Sequence, residues 1–283
     1  MATGISIHIG LNRVDPQHYE GWTGDLQACE FDAQDMASLA KQGGYRDPVM
    51  LLTADATVAN VSDALEAAAG ALRTGDILFL TYSGHGGSVP DRNGDEPDRK
   101  DETWVLYDRQ LVDDELYVMY SQFQPGVRIL VLSDSCHSGS VTREIPDFLR
   151  PEKLVERFGG TDPAQIERRS RVLPERVSDN VYKAHKDVYD GIQQSVTAND
   201  NTEVGASILL ISGCQDRQLS ADGDRNGLFT ATLLGVWNDG AFQGRYRGFH
   251  RKILGEMPPD QQPKLSLVGA ANPAFMNQRP FTI

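Results

Sequence analysis

Two short clusters hold the residues best suited to covalent chemistry. Ser83-Gly-His-Gly-Gly87 sets His85 among glycines, and Ser133-Asp-Ser-Cys-His-Ser-Gly139 sets Cys136 between Asp134 and His137. A thiolate is a strong nucleophile, and a nearby imidazole can hold or shuttle the proton that the reaction moves. Attack on an amide carbonyl also needs donors for the developing oxyanion. The backbone N–H groups of Gly86 and Cys136 are the candidates, each such donor typically worth ~3 kcal/mol of barrier. His137 competes with His85 as the base, but neighbours in sequence seldom aim side chains at each other across a turn. Cys214, in Ser212-Gly-Cys-Gln-Asp216, has no histidine near it in sequence and reads as a wall residue of the same rim.

Both clusters follow strand-like runs. Ile77 to Tyr82 and Val127 to Leu132 are near-continuously apolar, as expected of central parallel strands covered on both faces. Ile5 to Ile9, Val49 to Thr53, Ser207 to Ser212 and Lys264 to Val268 read as further strands. Helical spacing links Leu26, Cys29, Ala33, Met36, Ala37 and Ala40, with Gly43-Gly44 as the stop. It also links Val58, Val61, Leu65, Ala68, Ala69 and Leu72, then Leu116 to Phe123, Leu228 to Trp237, and Arg245 to Leu254. Residues 104–107 and 110–112 suggest a small hairpin. This alternation predicts an α/β fold with a doubly wound, mostly parallel central sheet flanked by helices on both faces. Ligands of such sheets bind beyond the carboxyl ends of the strands, so His85 and Cys136 share a rim if their strands are adjacent.

The 283 residues suit one domain, 1–283, interrupted at 143–200 by a stretch where the pattern degrades, read as a mobile or helical insertion. Lys and Arg total 27 against 40 Asp and Glu, a net charge of −13. That sign disfavours nucleic acid and anionic membrane surfaces and favours a cationic partner. From 143 to 186 the bias reverses, with ten Lys/Arg against eight Asp/Glu. Three cysteines are too few and scattered for a disulfide framework, no zinc-ligand spacing occurs, and neither a signal-peptide pattern nor a long apolar run is present. The expectation is a cytoplasmic setting in which a thiol stays free.

Tyr82-Ser-Gly-His-Gly-Gly87 and Asp134-Ser-Cys-His-Ser-Gly139 resemble the histidine and cysteine motifs of the caspase-like fold, and more narrowly those of the metacaspases and their prokaryotic relatives, the orthocaspases. The likeness runs from the first strand through Ser212-Gly-Cys-Gln-Asp-Arg-Gln218. It implies a cysteine endopeptidase with His85 and Cys136 as the dyad, cutting after Arg or Lys through a thioester. By the same likeness the basic-selective pocket maps onto Cys29, Asp32, Ser83 and Asp134. Two carboxylates in a partly desolvated pocket would pair with a guanidinium and repel an aspartate. The implied partners are peptides or proteins exposing Arg or Lys, with no nucleic acid, no membrane, and a monomeric chain.

Many metacaspases need calcium, and the matching positions are Asp101, Asp113 and Asp114. A fourth aspartate expected seven residues after the cysteine is Arg143 here, which disfavours calcium; no cofactor is expected to be required. Asp91-Arg-Asn-Gly-Asp95 and Asp222-Gly-Asp-Arg-Asn-Gly227 imitate calcium loops incompletely and read as acidic surface loops beside the substrate groove. Arg168, Arg169 and Arg171, in the basic stretch, offer sites for self-processing. The alternative from another class is a catalytically silent caspase-like binding or scaffold module. A thiol hydrolase of similar fold that cuts a different amide is a third reading.

Overall fold

The computed structural model describes residues 2–92, 99–135, 170–197, 203–214 and 220–283. Its main sheet has six strands in the order β2-β1-β3-β7-β8-β9. These are β1 (Gly4–Gly10), β2 (Arg46–Leu52), β3 (Ile77–Ser83), β7 (Arg128–Asp134), β8 (Ser207–Ser212) and β9 (Lys264–Gly269). All neighbours pair in parallel except β8 and β9. The doubly wound, mostly parallel sheet expected from the sequence is present.

Strand alternation divides the core. Leu78 and Leu80 of β3 pack on one face with α2 (Val58–Ala71) and α3 (Asp113–Ser121). Ile77 and Phe79 point to the other face, against α1 (Cys29–Gln42), α6 (Leu228–Trp237) and α7 (Tyr246–Glu256). Every residue of β3 is buried, which is why its sequence shows no polar face. The short α8 (Pro273–Asn277) closes the second layer.

The suggested hairpin is part of something larger. A second sheet joins β4 (Gly86–Pro90), β5 (Lys100–Val105) and β6 (Gln110–Val112), all antiparallel. Gly86-Gly87, which looks like turn sequence, is strand here. A Cβ on Gly87 would lie 2.5 Å from the Gln110 side-chain oxygen and 2.8 Å from the Thr103 hydroxyl. The glycine is therefore needed for close passage over the neighbouring strands, not for a turn.

In the stretch 143–200, residues 170–173 run alongside the glycine-rich strand, through a parallel bridge of Val172 to Gly86 and an antiparallel bridge of Ser170 to Ala221. Two helices follow, α4 (Glu175–Ala184) and α5 (Lys186–Thr197). Val177, Val181 and Tyr189 from them are buried with Val14, Tyr19 and Val89. These two helices of the insertion are packed against the rest of the domain.

Register sets the active rim. Ser83 pairs with Asp134 across β3 and β7, and Gly10 pairs with Ser83 across β1 and β3. The two motifs thus leave the sheet level with each other, on adjacent strands.

His8 lies in the middle of β1, fully buried, with Nδ1 2.9 Å from the Thr81 hydroxyl. Burial lowers its pKa to about 3, so the folded state holds it neutral. An unfolded histidine titrates near its ordinary value, so this contribution is complete above pH ~6.5 and declines as pH falls toward the folded value. Denaturant midpoints should show it. The stability difference between wild type and His8→Gln is expected to shift against wild type by about 1.4 kcal/mol per pH unit between pH ~6.5 and ~4.5. Parallel curves would mean that His8 is not held neutral.

Candidate active site

His85 follows β3, in a turn fixed by a neighbouring side chain. The Tyr82 hydroxyl donates to the His85 carbonyl at 2.6 Å and lies 3.1 Å from the Val105 carbonyl. The Tyr82 ring stacks on Trp104 at 4.5 Å. His85 Nε2 is 2.9 Å from the Gly24 carbonyl oxygen, which can only accept, so Nε2 carries the proton. Nδ1 then presents a lone pair, and it is buried without a hydrogen-bond partner. Trp22 packs edge-on against the imidazole at 4.8 Å. Burial lowers the His85 pKa to about 4, against the pull of the Gly24 carbonyl. The ring is held neutral and oriented.

Cys136 and His137 lie outside the described residues, directly after Ser135. Cys214 is fully buried, and its thiol donates to the Ser135 carbonyl at 3.3 Å, so it braces the end of β7 as the expected wall residue.

The four residues assigned to the basic pocket come together around one side chain, Arg171. Its Nη2 is 2.7 Å from Asp32 Oδ2, and its Nη1 is 2.9 Å from Ser83 Oγ and 3.0 Å from Asp134 Oδ2. Cys29 opens α1 beneath this cluster, fully buried, with Ser83 as a hydrogen-bond neighbour; burial pushes its thiol pKa up. A third carboxylate completes the pocket. Asp222 Oδ1 lies 2.9 Å from Arg171 Nη2.

Each carboxylate is held by the fold as well as by the guanidinium. Thr230, in the first turn of α6, donates to Asp134 Oδ2 through its backbone N–H at 3.1 Å and its hydroxyl at 2.8 Å. Gln27 N–H, just ahead of α1, donates to Asp222 Oδ2 at 2.8 Å. Gly227 N–H and the Asn226 amide donate to Asp32 Oδ1 at 3.1 and 3.0 Å. Two of these anchors sit at helix N-termini, where the macrodipole favours negative charge. Three carboxylates still crowd one cation. Burial pushes the Asp32 carboxyl up to about 6, with Arg171 opposing and Asp134 reinforcing the shift.

Two expectations from the sequence are corrected here. Arg171, placed in a flexible stretch, is fully buried, because three carboxylates and a hydroxyl replace its hydration. Asp222, assigned to a surface loop, is buried and faces the pocket. Its loop stands out in the sequence as an incomplete imitation of a calcium loop, and no spacing links it to Asp32 or Asp134. Gly227 and the Gly24 carbonyl act through backbone atoms, which carry no signature in side-chain type, and no spacing marks Ser220, whose hydroxyl donates to Asp134 Oδ1 at 2.7 Å.

Asp101 and Asp113 are drawn near one another on β5 and α3. Burial raises the Asp113 pKa well above the ordinary value, with further upward pushes from Glu102, Asp114 and Asp101. Among the described residues, however, no group of three or more His, Cys, Asp or Glu is arranged to hold a metal ion.

A family profile described as the caspase domain matches residues 14–278. The chain belongs to that family. This caspase domain is 33% identical to metacaspase-1A of Aspergillus oryzae over 82% of its own length and 58% of the relative's. It is 27% identical to metacaspase-1 of Schizosaccharomyces pombe, over 95% of itself and 67% of that protein. The chain thus spans little more than half of most of the curated metacaspases it matches. A crystal structure of a Geobacter sulfurreducens protein superposes with a TM-score of 0.86, at 49% identity and 99% coverage of both chains. Caspase-1 of Spodoptera frugiperda shares the fold alone, with a TM-score of 0.52 at 9% identity, covering 95% of this chain and 86% of that one. The likeness drawn from the two motifs therefore holds across the chain, and the family is one of cysteine peptidases.

The pocket of this caspase domain leaves no spare room around its occupant. A Cβ on Gly227 would lie 2.5 Å from Arg171 Cζ. Gly227→Ala is expected to lower the stability of the intact chain by about 1–3 kcal/mol through overpacking. Gly248→Ala in α7, where a Cβ meets nothing within 4 Å, should be neutral or stabilising by up to ~1 kcal/mol. Thermal melts of the two variants check both signs.

Proposed function

We propose that the chain is a cysteine endopeptidase that cleaves after Arg or Lys, with Cys136 as nucleophile and His85 as the general base and acid. The observation that carries this reading is the arginine side chain seated among Asp32, Asp134, Asp222 and Ser83. A planar guanidinium uses several of these acceptors at once, which a lysine ammonium does less well, so arginine should be preferred over lysine. An aspartate in the same place would meet three like charges.

His85 contributes through orientation. With Nε2–H committed to Gly24, Nδ1 takes the thiol proton and returns it to the leaving amine. Gly86 N–H supplies one oxyanion donor and Cys136 N–H the other. The reaction requires no cofactor. Its substrates are peptides or proteins exposing Arg or Lys, rather than nucleic acid or membrane, and the chain works as a monomer. A reducing, cytoplasmic setting suits the free thiols of Cys29 and Cys214. No helix among the described residues is long and apolar enough to cross a membrane.

A peptide-library cleavage profile tests this reading. Cuts should fall after Arg, more weakly after Lys, and not after Asp. Cys136→Ala should abolish turnover, and His85→Ala should lower it by about 10²–10⁴-fold. Asp222→Asn should raise KM for arginyl peptides. Cleavage of aspartyl peptides with arginyl ones ignored would overturn the pocket assignment.

A further inference from the structure

The loop that steers His85 is itself held by the helices of the insertion. Residues 14–23 close on themselves, with Val14 N–H donating to the Thr23 carbonyl at 2.9 Å. Trp22, which packs against the His85 ring, and Gly24, whose carbonyl accepts from His85 Nε2–H, leave from this closed base. The tip of the loop rests on the corner between α4 and α5. There the His18 and His185 rings lie face to face, 4.1 Å apart and 13° from parallel. His18 Nε2 is 2.9 Å from the Tyr189 hydroxyl, which also accepts from Gln110 N–H at 3.3 Å. His185 Nε2 is buried with no hydrogen-bond partner among the described residues. From His18, ring contacts continue through Tyr19 at 5.1 Å and Trp22 at 6.1 Å to His85 at 4.8 Å. The Tyr19 hydroxyl, donating to the Leu106 carbonyl at 2.7 Å, fixes the middle of that series.

We propose that the His18–His185 stack positions His85: while both rings are neutral the insertion holds residues 14–24, and a charge on the stack releases that loop and with it the orientation of His85. The inference rests on the cysteine-peptidase reading and adds to it the pair of residues that limits activity on the acid side. His18 acts through the loop and touches no substrate, so it is a positioning residue. Two cationic rings at this separation repel. A charged His185 would also make both of its nitrogens donors, one of them buried without an acceptor. Burial, then His185, lowers the His18 pKa to about 4; Asp108 and Asp15 oppose the fall, and Arg109 adds to it. The docked loop therefore favours neutral His18. Docking is complete above the ordinary histidine value near 6.5 and weakens by about tenfold per pH unit from there down to about 4.

The test compares wild type, His18→Gln and the double variant His18→Gln/His185→Gln, since glutamine keeps a polar head that cannot be charged. kcat/KM for an arginyl peptide is followed from pH 4.5 to 8, each chain referred to its own plateau. At pH 5 both variants should retain a fraction of their plateau about threefold or more larger than wild type retains. A histidine that only supported the fold would scale the plateau and leave the profile in place. Hydrogen exchange of residues 14–24 in wild type, corrected for intrinsic rates, should be faster at pH 5 than at pH 7.5, a measurement that needs no variant. Coincident acid limbs overturn the proposal and leave the peptidase reading intact, and so does a wild-type loop equally protected at both pH values. If no chain hydrolyses arginyl peptides at any pH while wild type stays folded, the peptidase reading falls and takes the proposal with it.

Discussion

One guanidinium among three buried carboxylates organises the rim of this fold. Removing such charges from water is costly, and their mutual attraction offsets that cost only when hydrogen bonds satisfy the remaining lone pairs. Here Ser83, Ser220, Asn226, Thr230 and the backbone ahead of α1 and α6 provide those bonds. The cluster ties together segments that are far apart in sequence: α1, the ends of β3 and β7, the loop before α6, and residues 170–173. Because it holds three negative groups against one positive, the pocket without Arg171 has an unbalanced demand for a cation. That demand is the physical basis of the selectivity proposed for it.

The sheet supplies the precision. β3 and β7 are neighbours in register, so Ser83 and Asp134 end level and both can reach one side chain. A slip of one residue would turn one of them toward the opposite face. The second sheet carries Gly86, whose backbone meets the segment that the pocket holds. Main-chain pairing and side-chain recognition therefore converge on the same few residues.

Much of this was legible in the sequence. The apolar runs of β3 and β7, the period of α1 and α2, and the polar clusters after two strands pointed to the fold and to His85, while the pocket residues Cys29, Asp32, Ser83 and Asp134 came from the family resemblance alone. Other features were not legible, for physical reasons. Gly86-Gly87 has turn composition yet forms a strand, because close packing against Thr103 and Gln110, rather than chain reversal, demands glycine there. Asp222 joins the pocket through a contact with residues nearly two hundred positions away. Arg171 looked exposed because burying arginine is expensive in isolation, and only the assembled carboxylates reverse that expectation.

In the proposed function the pocket reads the charge of the guanidinium, and not merely its shape. Paired peptides that differ only by arginine or citrulline at the cleaved position test it directly, since citrulline keeps the planar head but is neutral. With citrulline, kcat/KM is expected to fall by about a hundredfold or more, the loss that follows when buried charged groups are left without their partner. Comparable kcat/KM for the two peptides would contradict it.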